Sequence, residues 1–352
     1  MQTLFNVINV PLGYVMKFLS EILGGNFAAS VLVFTILINL VLIPLSIKSQ
    51  KSSVSQMRIK PKLDELKKRY GDDRQKMAQA QQKLYQDEGV SMSGGCLPMI
   101  VRMLLLFSIY WLIMSPLTYM AGAEKTRVSN VTTKINTVLS DYKKESGEEK
   151  YNNLIKEKNI SWKLNASNSY ELSLIEILIN DPDGDGTLIQ EILTDTQYDE
   201  IKDDYKYVFN KYKQAGMDFN LFGIDLISKP NFSFDIFNAW EPIWLLPIAA
   251  FLAQMLTSVV SMRINKHINP DAPSMAGMML TMPLISLFIG FSFPGGVCFY
   301  WICSSLVGGA IQSAIQLLYG PHKMLARERT RELSKVCDFE EGQLKKLETG
   351  NG

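Results

Sequence analysis

The sequence predicts an all-α polytopic membrane protein: a five-transmembrane-helix bundle with a cytosolic helical hairpin and a small, mainly helical extracytosolic insert. Three observations carry this. The totals look ordinary, with 47% hydrophobic residues, 20% charged residues and a formal net charge of +1, yet the apolar and charged residues are segregated along the chain. Several nearly uncharged runs reach the roughly 18 residues needed to cross a hydrocarbon core. Between these runs lie one short basic segment with helical spacing and one long acidic segment.

A length of 352 residues would ordinarily suggest two or three soluble domains. The segregation excludes a soluble enzyme, and the composition excludes disorder, collagen and a small disulfide scaffold. The cysteines Cys96, Cys298, Cys303 and Cys337 form no CxxC pair, so neither a zinc ribbon nor a redox dithiol is indicated.

The elements follow in order. Residues 1–27 are too short and polar for a span; Val15, Phe18, Leu19, Ile22 and Leu23 recur at helical spacing with Lys17, Ser20 and Glu21 opposite, which predicts an amphipathic helix on the outer membrane surface. This stretch has no basic leader with a small-residue cleavage site and no cysteine for a lipid anchor. The first span is 28–47. Residues 48–95 form the cytosolic hairpin, interrupted early by Pro61 and broken at Tyr70-Gly71-Asp72-Asp73. The second span is 97–120, the insert 121–240, and the third span 242–262. A cytosolic loop, 263–275, precedes the fourth span, 276–292, and the fifth, 296–319. The turn between these last two is assigned to Pro294, Gly295 and Gly296. Residues 320–352 are a charged tail.

Orientation rests on Lys/Arg bias. Segment 48–95 holds eleven Lys/Arg against six Asp/Glu, whereas 121–241 holds 14 against 21. The short basic segment faces the cytosol, which puts the N-terminus outside and the tail, with Arg327, Arg329 and Arg331, inside the cell at a bacterial plasma membrane.

Beyond these patterns, the run NFAASVLVFTILINLVLIPLSIKSQKSS, the turn YGDDRQ, the entry GGCLPMIVRM and the ending MPLISLFIGFSFPGGVCFYW together resemble the YidC/Oxa/Alb family of membrane protein insertases. The resemblance covers 11–119 and about 218–319. It implies a hydrophilic groove open to cytosol and lipid and closed outside, through which nascent membrane proteins enter the bilayer. It also implies ribosomes, the Sec translocon and signal recognition machinery as partners, with no DNA and no cofactor. The absence of a GxxxxGK[ST] loop agrees with a scaffold that has no ATPase of its own.

Polar residues inside spans each need a reason. The resemblance implies an arginine five residues before the first-span proline and a glutamine four after the second-span one. Here those positions hold Asn39, before Pro44, and Arg102, after Pro98. Asn39 lies nine residues from Lys48, about 13 Å into the membrane, and Arg102 seven from Gly95, about 10 Å. Either Arg102 supplies the groove's positive charge with Asn39 beside it, or its long stem snorkels to the interface. Further groove candidates are Thr35, Ser46, Gln254, Thr257, Ser258, Tyr300, Ser304, Ser305 and Gln312. The Ser and Thr residues read equally well as small packing residues between helices. Met255, Met262, Met275, Met278, Met279 and Met282 suit an adaptable substrate surface or serve as ordinary filler.

In the insert, Tyr198, Ile201, Tyr205, Val208 and Tyr212 form one helical stripe, and Leu174, Ile175, Leu178 and Ile179 another. Asp181, Asp183 and Asp185, with Gly186, resemble the first half of a calcium loop, but the closing position falls on Ile192 and Glu191 is one residue early. A calcium site and an Asp/Gly-rich turn both remain open. The competing functional class is a secondary transporter or channel; against it stand the lack of an internal repeat and a single firmly intramembrane charge. A surface receptor built on the insert is a third reading.

Overall fold

A computed structural model describes residues 2–71, 73–90, 97–158, 170–230, 240–268 and 276–320, with 160, 162, 164 and scattered residues between 326 and 341. The all-α class holds: apart from one two-stranded hairpin, the described regular elements are helices. Among the described residues, two helices are long and apolar enough to cross a membrane, Pro242–Ile264 and Gly295–Leu318, and a bent pair, Phe27–Val41 with Ile43–Ser52, makes a third candidate. The shorter apolar helices Met103–Met114 and Thr281–Gly290 fall where the second and fourth spans were expected.

The chain forms two compact units. The first comprises Met1–Ile38, Met103–Met255 and Leu280–Val307. Helix α1, Gln2–Ile22, runs through Pro11. Its faces differ from the expected stripe. Met16, Leu19 and Ser20 are buried, whereas Val7, Val10, Tyr14, Phe18 and Ile22 are exposed. The reason is that the inner face packs on the short helix α6, Pro116–Tyr119, and leaves the other apolar stripe exposed. Ser20, expected on the polar face, therefore lies inside.

Helix α2, Phe27–Val41, starts where the Asn26 side chain accepts the Ala29 N–H at 2.8 Å, a normal N-terminal cap. It gives way at Leu42 to α3, Ile43–Tyr70, with a 47° bend. Pro44 causes the break, because it lacks the N–H that a continuous helix would use and disfavours helical geometry before it. Pro61, by contrast, lies inside α3 and does not interrupt it, which corrects the expectation for the hairpin.

Helix α5, Leu97–Met114, likewise ends before Ser115-Pro116, so the second span is shorter than 97–120. The insert then folds from α7 (Lys125–Ser146), α8 (Glu148–Glu157), α9 (Tyr170–Ile179), α10 (Thr187–Gln190), α11 (Asp195–Asp199) and α12 (Lys202–Ala215). Its two expected stripes are buried at Tyr198, Ile201, Tyr205, Val208, Leu174, Ile175 and Leu178, but Ile179 is 51% exposed at the end of its helix. Helix α7 packs against α12 through Val128, Val131, Ile135 and Leu139, a stripe that the sequence reading did not single out. Glu171 of α9 reaches the start of α6, where it accepts the Thr118 N–H at 3.0 Å and hydroxyl at 2.6 Å. Burial nevertheless pushes its carboxyl up to about 7, because desolvation outweighs those two donors.

Between the insert and the last spans lies a hairpin of β1, Asn220–Leu221, and β2, Ile224–Asp225. Helices α13, Leu245–Ile268, α14, Ala276–Gly290, and α15, Gly295–Leu318, complete the chain. Gly295 and Gly296 begin α15 rather than building the preceding turn. Their N–H groups donate to Ser228 and Leu226 carbonyls, and a Cβ at Gly296 would stand 2.9 Å from the Phe27 ring, so close approach is what requires glycine there.

The second unit comprises Asn39–Arg102, Leu256–Met279 and Gly308–Gly352. Here α3 packs antiparallel on α4, Arg74–Asp87, as the expected hairpin. Asp73 caps α4 by accepting the Lys76 N–H at 3.1 Å, and Lys62 pairs with Glu88 across the hairpin. Arg327, Arg329, Arg331, Cys96 and Met275 lie outside the described residues.

Candidate functional site

The polar residues of the second unit converge on one helix. A Cβ at Gly308 of α15 would lie 3.2 Å from Asn39 Oδ1, and one at Gly309 would lie 2.4 Å from Thr257 Cγ2. The paired glycines let the α2 and α13 side chains rest directly on the α15 backbone. Small residues serve this purpose between membrane helices. One and two turns further along α15 come Gln312 and Gln316. The Gln316 amide lies 3.4 Å from the Ser261 hydroxyl of α13, itself one turn beyond Thr257. Gln316 is 8% exposed, and its side-chain carbonyl oxygen has no hydrogen-bond partner among the described residues. The result is a polar ladder along α13 and α15, with Asn39 at one end. In a bilayer such groups cost free energy unless they meet water or a passing polar chain.

Arg102 lies in α5, but its side chain is outside the described residues, so its expected pairing with Asn39 is untouched by this geometry. Ser46 is buried on α3 and Ser258 half-buried on α13.

In the first unit the candidates form separate local contacts. The Ser286 hydroxyl lies 2.9 Å from Gln254 Oε1 and 2.7 Å from the Pro283 carbonyl. Tyr300 is buried and hydrogen-bonds Ser304 one turn on, Ser305 is half-buried, and Thr35 returns its hydroxyl to the Val31 carbonyl at 2.7 Å. A side chain bonded back to its own helix is the packing alternative, and Thr35 adopts it.

Sequence reasoning missed Gln316, Ser261, Ser286 and the glycine pair. The signals were present: Gln312 and Gln316, like Thr257 and Ser261, are spaced i,i+4, and Gly308-Gly309 interrupts an apolar run.

Two of the three expected calcium residues already accept hydrogen bonds within the turn and its neighbours. Asp181 is 2% exposed and faces inward, where Oδ2 accepts the Gly186 N–H at 2.9 Å and the Tyr205 O–H at 2.5 Å. Asp185 Oδ1 accepts the Thr187 N–H at 3.0 Å and hydroxyl at 2.8 Å, which holds its carboxyl below the usual range. Among the described residues no three His, Cys, Asp or Glu side chains are grouped to hold a metal.

Comparison with known proteins places these features. The profile of the 60Kd inner membrane protein family matches residues 18–166 and 204–320, leaving out the Asp-rich turn. A protein named membrane protein insertase YidC from Ectopseudomonas mendocina is 39% identical over 104 residues, 30% of this chain and 18% of its own length. Proteins of the same name from Haemophilus ducreyi and Shewanella woodyi are 42% identical over 105 residues and 41% identical over 106, each match covering 30% of this chain and 19% of theirs. The aligned stretch is thus about a fifth of each relative. With the family profile matched over most of its length, the chain belongs to the 60Kd inner membrane protein family, a family of membrane proteins.

Proposed function

We propose that this protein is a membrane protein insertase and chaperone that guides nascent membrane proteins into the bilayer through a polar groove. The observation that carries the reading is the ladder of Asn39, Thr257, Ser261 and Gln316, polar side chains set within helices α2, α13 and α15. The same helices carry Gln312, and farther along Gln254, Tyr300, Ser304 and Ser305. The name of the aligned relatives supports it. The family is not one of enzymes, and no covalent step is needed.

The mechanism follows from solvation. Carrying a tail across hydrocarbon strips water from its peptide groups and charges. A wet groove shortens that apolar path. Arg102 attracts an acidic tail into it, and the substrate's apolar helix then leaves into lipid, where its burial drives the step. The membrane potential adds about 2.3 kcal/mol per charge per 100 mV for a negative tail moving outward. The arrangement has five spans, the N-terminus outside and the tail in the cytosol. Nascent chains, ribosomes, the Sec translocon and signal recognition machinery are its partners. No observation favours the transporter or channel reading.

The test is insertion in a strain depleted of its own insertases. Arg102→Gln should impair acidic-tailed substrates, and adding Asn39→Arg should restore them, because residues sharing one site couple non-additively. A harmless Arg102→Gln, or a double variant as defective as the single one, sinks the role given to Arg102. Failure of the unaltered protein to support any insertion sinks the function.

A further inference from the structure

Phe222 stands at the tip of the β1–β2 hairpin with φ +51°, the one positive φ at a non-glycine among the described residues. Gly223 follows at φ +85°, so both turn residues are left-handed. Two-residue turns of this kind favour Asn, Asp or Gly at both positions, and a bulky residue is strained there. The ring packs on no described residue that would offset that strain, because Phe222 is 98% exposed. An aromatic ring held in an unfavourable backbone and left bare points to a contact outside the chain.

The base of the hairpin is fastened at the ends of apolar helices. The Phe27 N–H at the start of α2 donates to the Asp218 carbonyl at 2.9 Å, and the Asp218 N–H to the Gly25 carbonyl at 3.0 Å. On the other leg, the Gly296 and Gly295 N–H groups of α15 donate to Leu226 and Ser228 at 2.7 and 2.9 Å. Phe219 packs on Phe27 with ring centroids 4.9 Å apart. The tip is three residues beyond Phe219, so it reaches no more than about 10 Å from these helix ends. The interfacial zone beside the hydrocarbon is itself about 5–8 Å deep, and aromatic rings concentrate there.

The hairpin's polar side chains are already occupied. Asp218 Oδ1 accepts the Asn220 N–H, Asn220 Oδ1 the Gly223 N–H, and the Asp225 carboxylate the Ile227 N–H and Ser228 hydroxyl. The Phe222 ring is the large exposed apolar side chain of the tip. Other exposed apolar residues of the same unit are Phe18 and Ile22 on α1, and Trp240 just before the helix Pro242–Ile264. We propose that this hairpin is a lipid anchor, seating Phe222 in the interfacial zone of the leaflet on the insert side. The occupant is lipid, and the proposal holds whichever side of the membrane the insert faces.

The experiment uses the full chain in phosphatidylethanolamine–phosphatidylglycerol vesicles. Cys96 and Cys337 are replaced by Ser; Cys298 and Cys303 are buried and stay. A polarity-sensitive fluorophore is placed at Phe222→Cys and, as a control, at Asp183→Cys. Lipids brominated near the headgroup end of the acyl chain should quench the Phe222 site at least about twofold more than the control, and aqueous iodide should quench it less. Equal iodide quenching at both sites overturns the anchor. Shielding from lipid and iodide alike also overturns it, and assigns the tip to a protein contact. Phe222→Trp in the unlabelled chain provides a second reading: its added emission should be quenched by brominated lipid, and emission that is insensitive counts against the proposal.

Discussion

Helices α9 and α14 are both rich in Leu and Ile, yet they treat those residues in opposite ways. In α9, Leu172, Leu174, Ile175, Ile177 and Leu178 are buried inside the insert. In α14, Met282, Leu284, Ile285, Phe288 and Ile289 are exposed. The apolar side chains are the same and the solvent differs. Ten residues of α9 span about 15 Å, too little for a bilayer, so that helix must find its apolar partner in protein. Helix α14 follows a helix long and apolar enough to cross a membrane and leaves its apolar side chains exposed.

The largest effect should separate these two solvents. Leu178→Ala leaves a cavity in a close-packed core and should cost about 2–5 kcal/mol, read as lost hydrogen-exchange protection of insert amides in the full chain. Leu284→Ala should cost less than about 1 kcal/mol, because lipid tails refill the space and are as apolar as leucine. Equal costs would mean that α14 is packed by protein and that its exposure does not mark lipid contact.

Next in size is a pH effect where insert and span helices meet. Glu171 carries a folded-state pKa of about 7, against an ordinary value of 4.5. Lys125 attracts its charge and the Tyr119 hydroxyl faces it, but burial dominates. The folded state therefore holds the proton more tightly than the unfolded chain does. This group's contribution is fully present below pH 4.5 and is lost as pH rises through 7, by about 3 kcal/mol in all. Melting of the insert followed from pH 5 to 8 should fall accordingly. Glu171→Gln, which keeps an acceptor for Thr118 without a titrating charge, should flatten the slope; an unchanged slope would place the titration elsewhere.

These contrasts also explain what was legible. Helix type, the YGDD break and the insert's stripes could be read because periodicity and turn chemistry are local. The faces of α1 could not, since Met16 and Leu19 are selected by α6 and Phe18 by lipid, and both selections are apolar. Pro61 looked like a breaker, but α3 runs through it and packs on α4. Within the site, Asn39 and Thr257 were visible as isolated polar residues. Gly308 and Gly309 stood out only as a break in an apolar run, because their role is to carry no side chain where two other helices arrive.

The smallest expected effect is that of calcium on the Asp181–Gly186 turn. An EF-type loop turns several carboxylates toward one point. In this turn two of them are engaged elsewhere: Asp181 closes onto Gly186 and Tyr205, and Asp185 onto Thr187. Burial, with Asp181 accepting its proton, raises the Tyr205 hydroxyl's pKa, so that donor persists at any ordinary pH. A ligand stabilises only as far as its concentration exceeds its dissociation constant, so millimolar calcium should move the insert's melting by less than about 1 °C. Tyr205→Phe should cost more, about 1–3 kcal/mol, because it removes one of two donors from a buried carboxylate. A clear calcium-dependent rise, abolished by Asp183→Ala, would mean that the loop reopens to bind a cation. The turn would then belong with the insert's binding surface and not with its core.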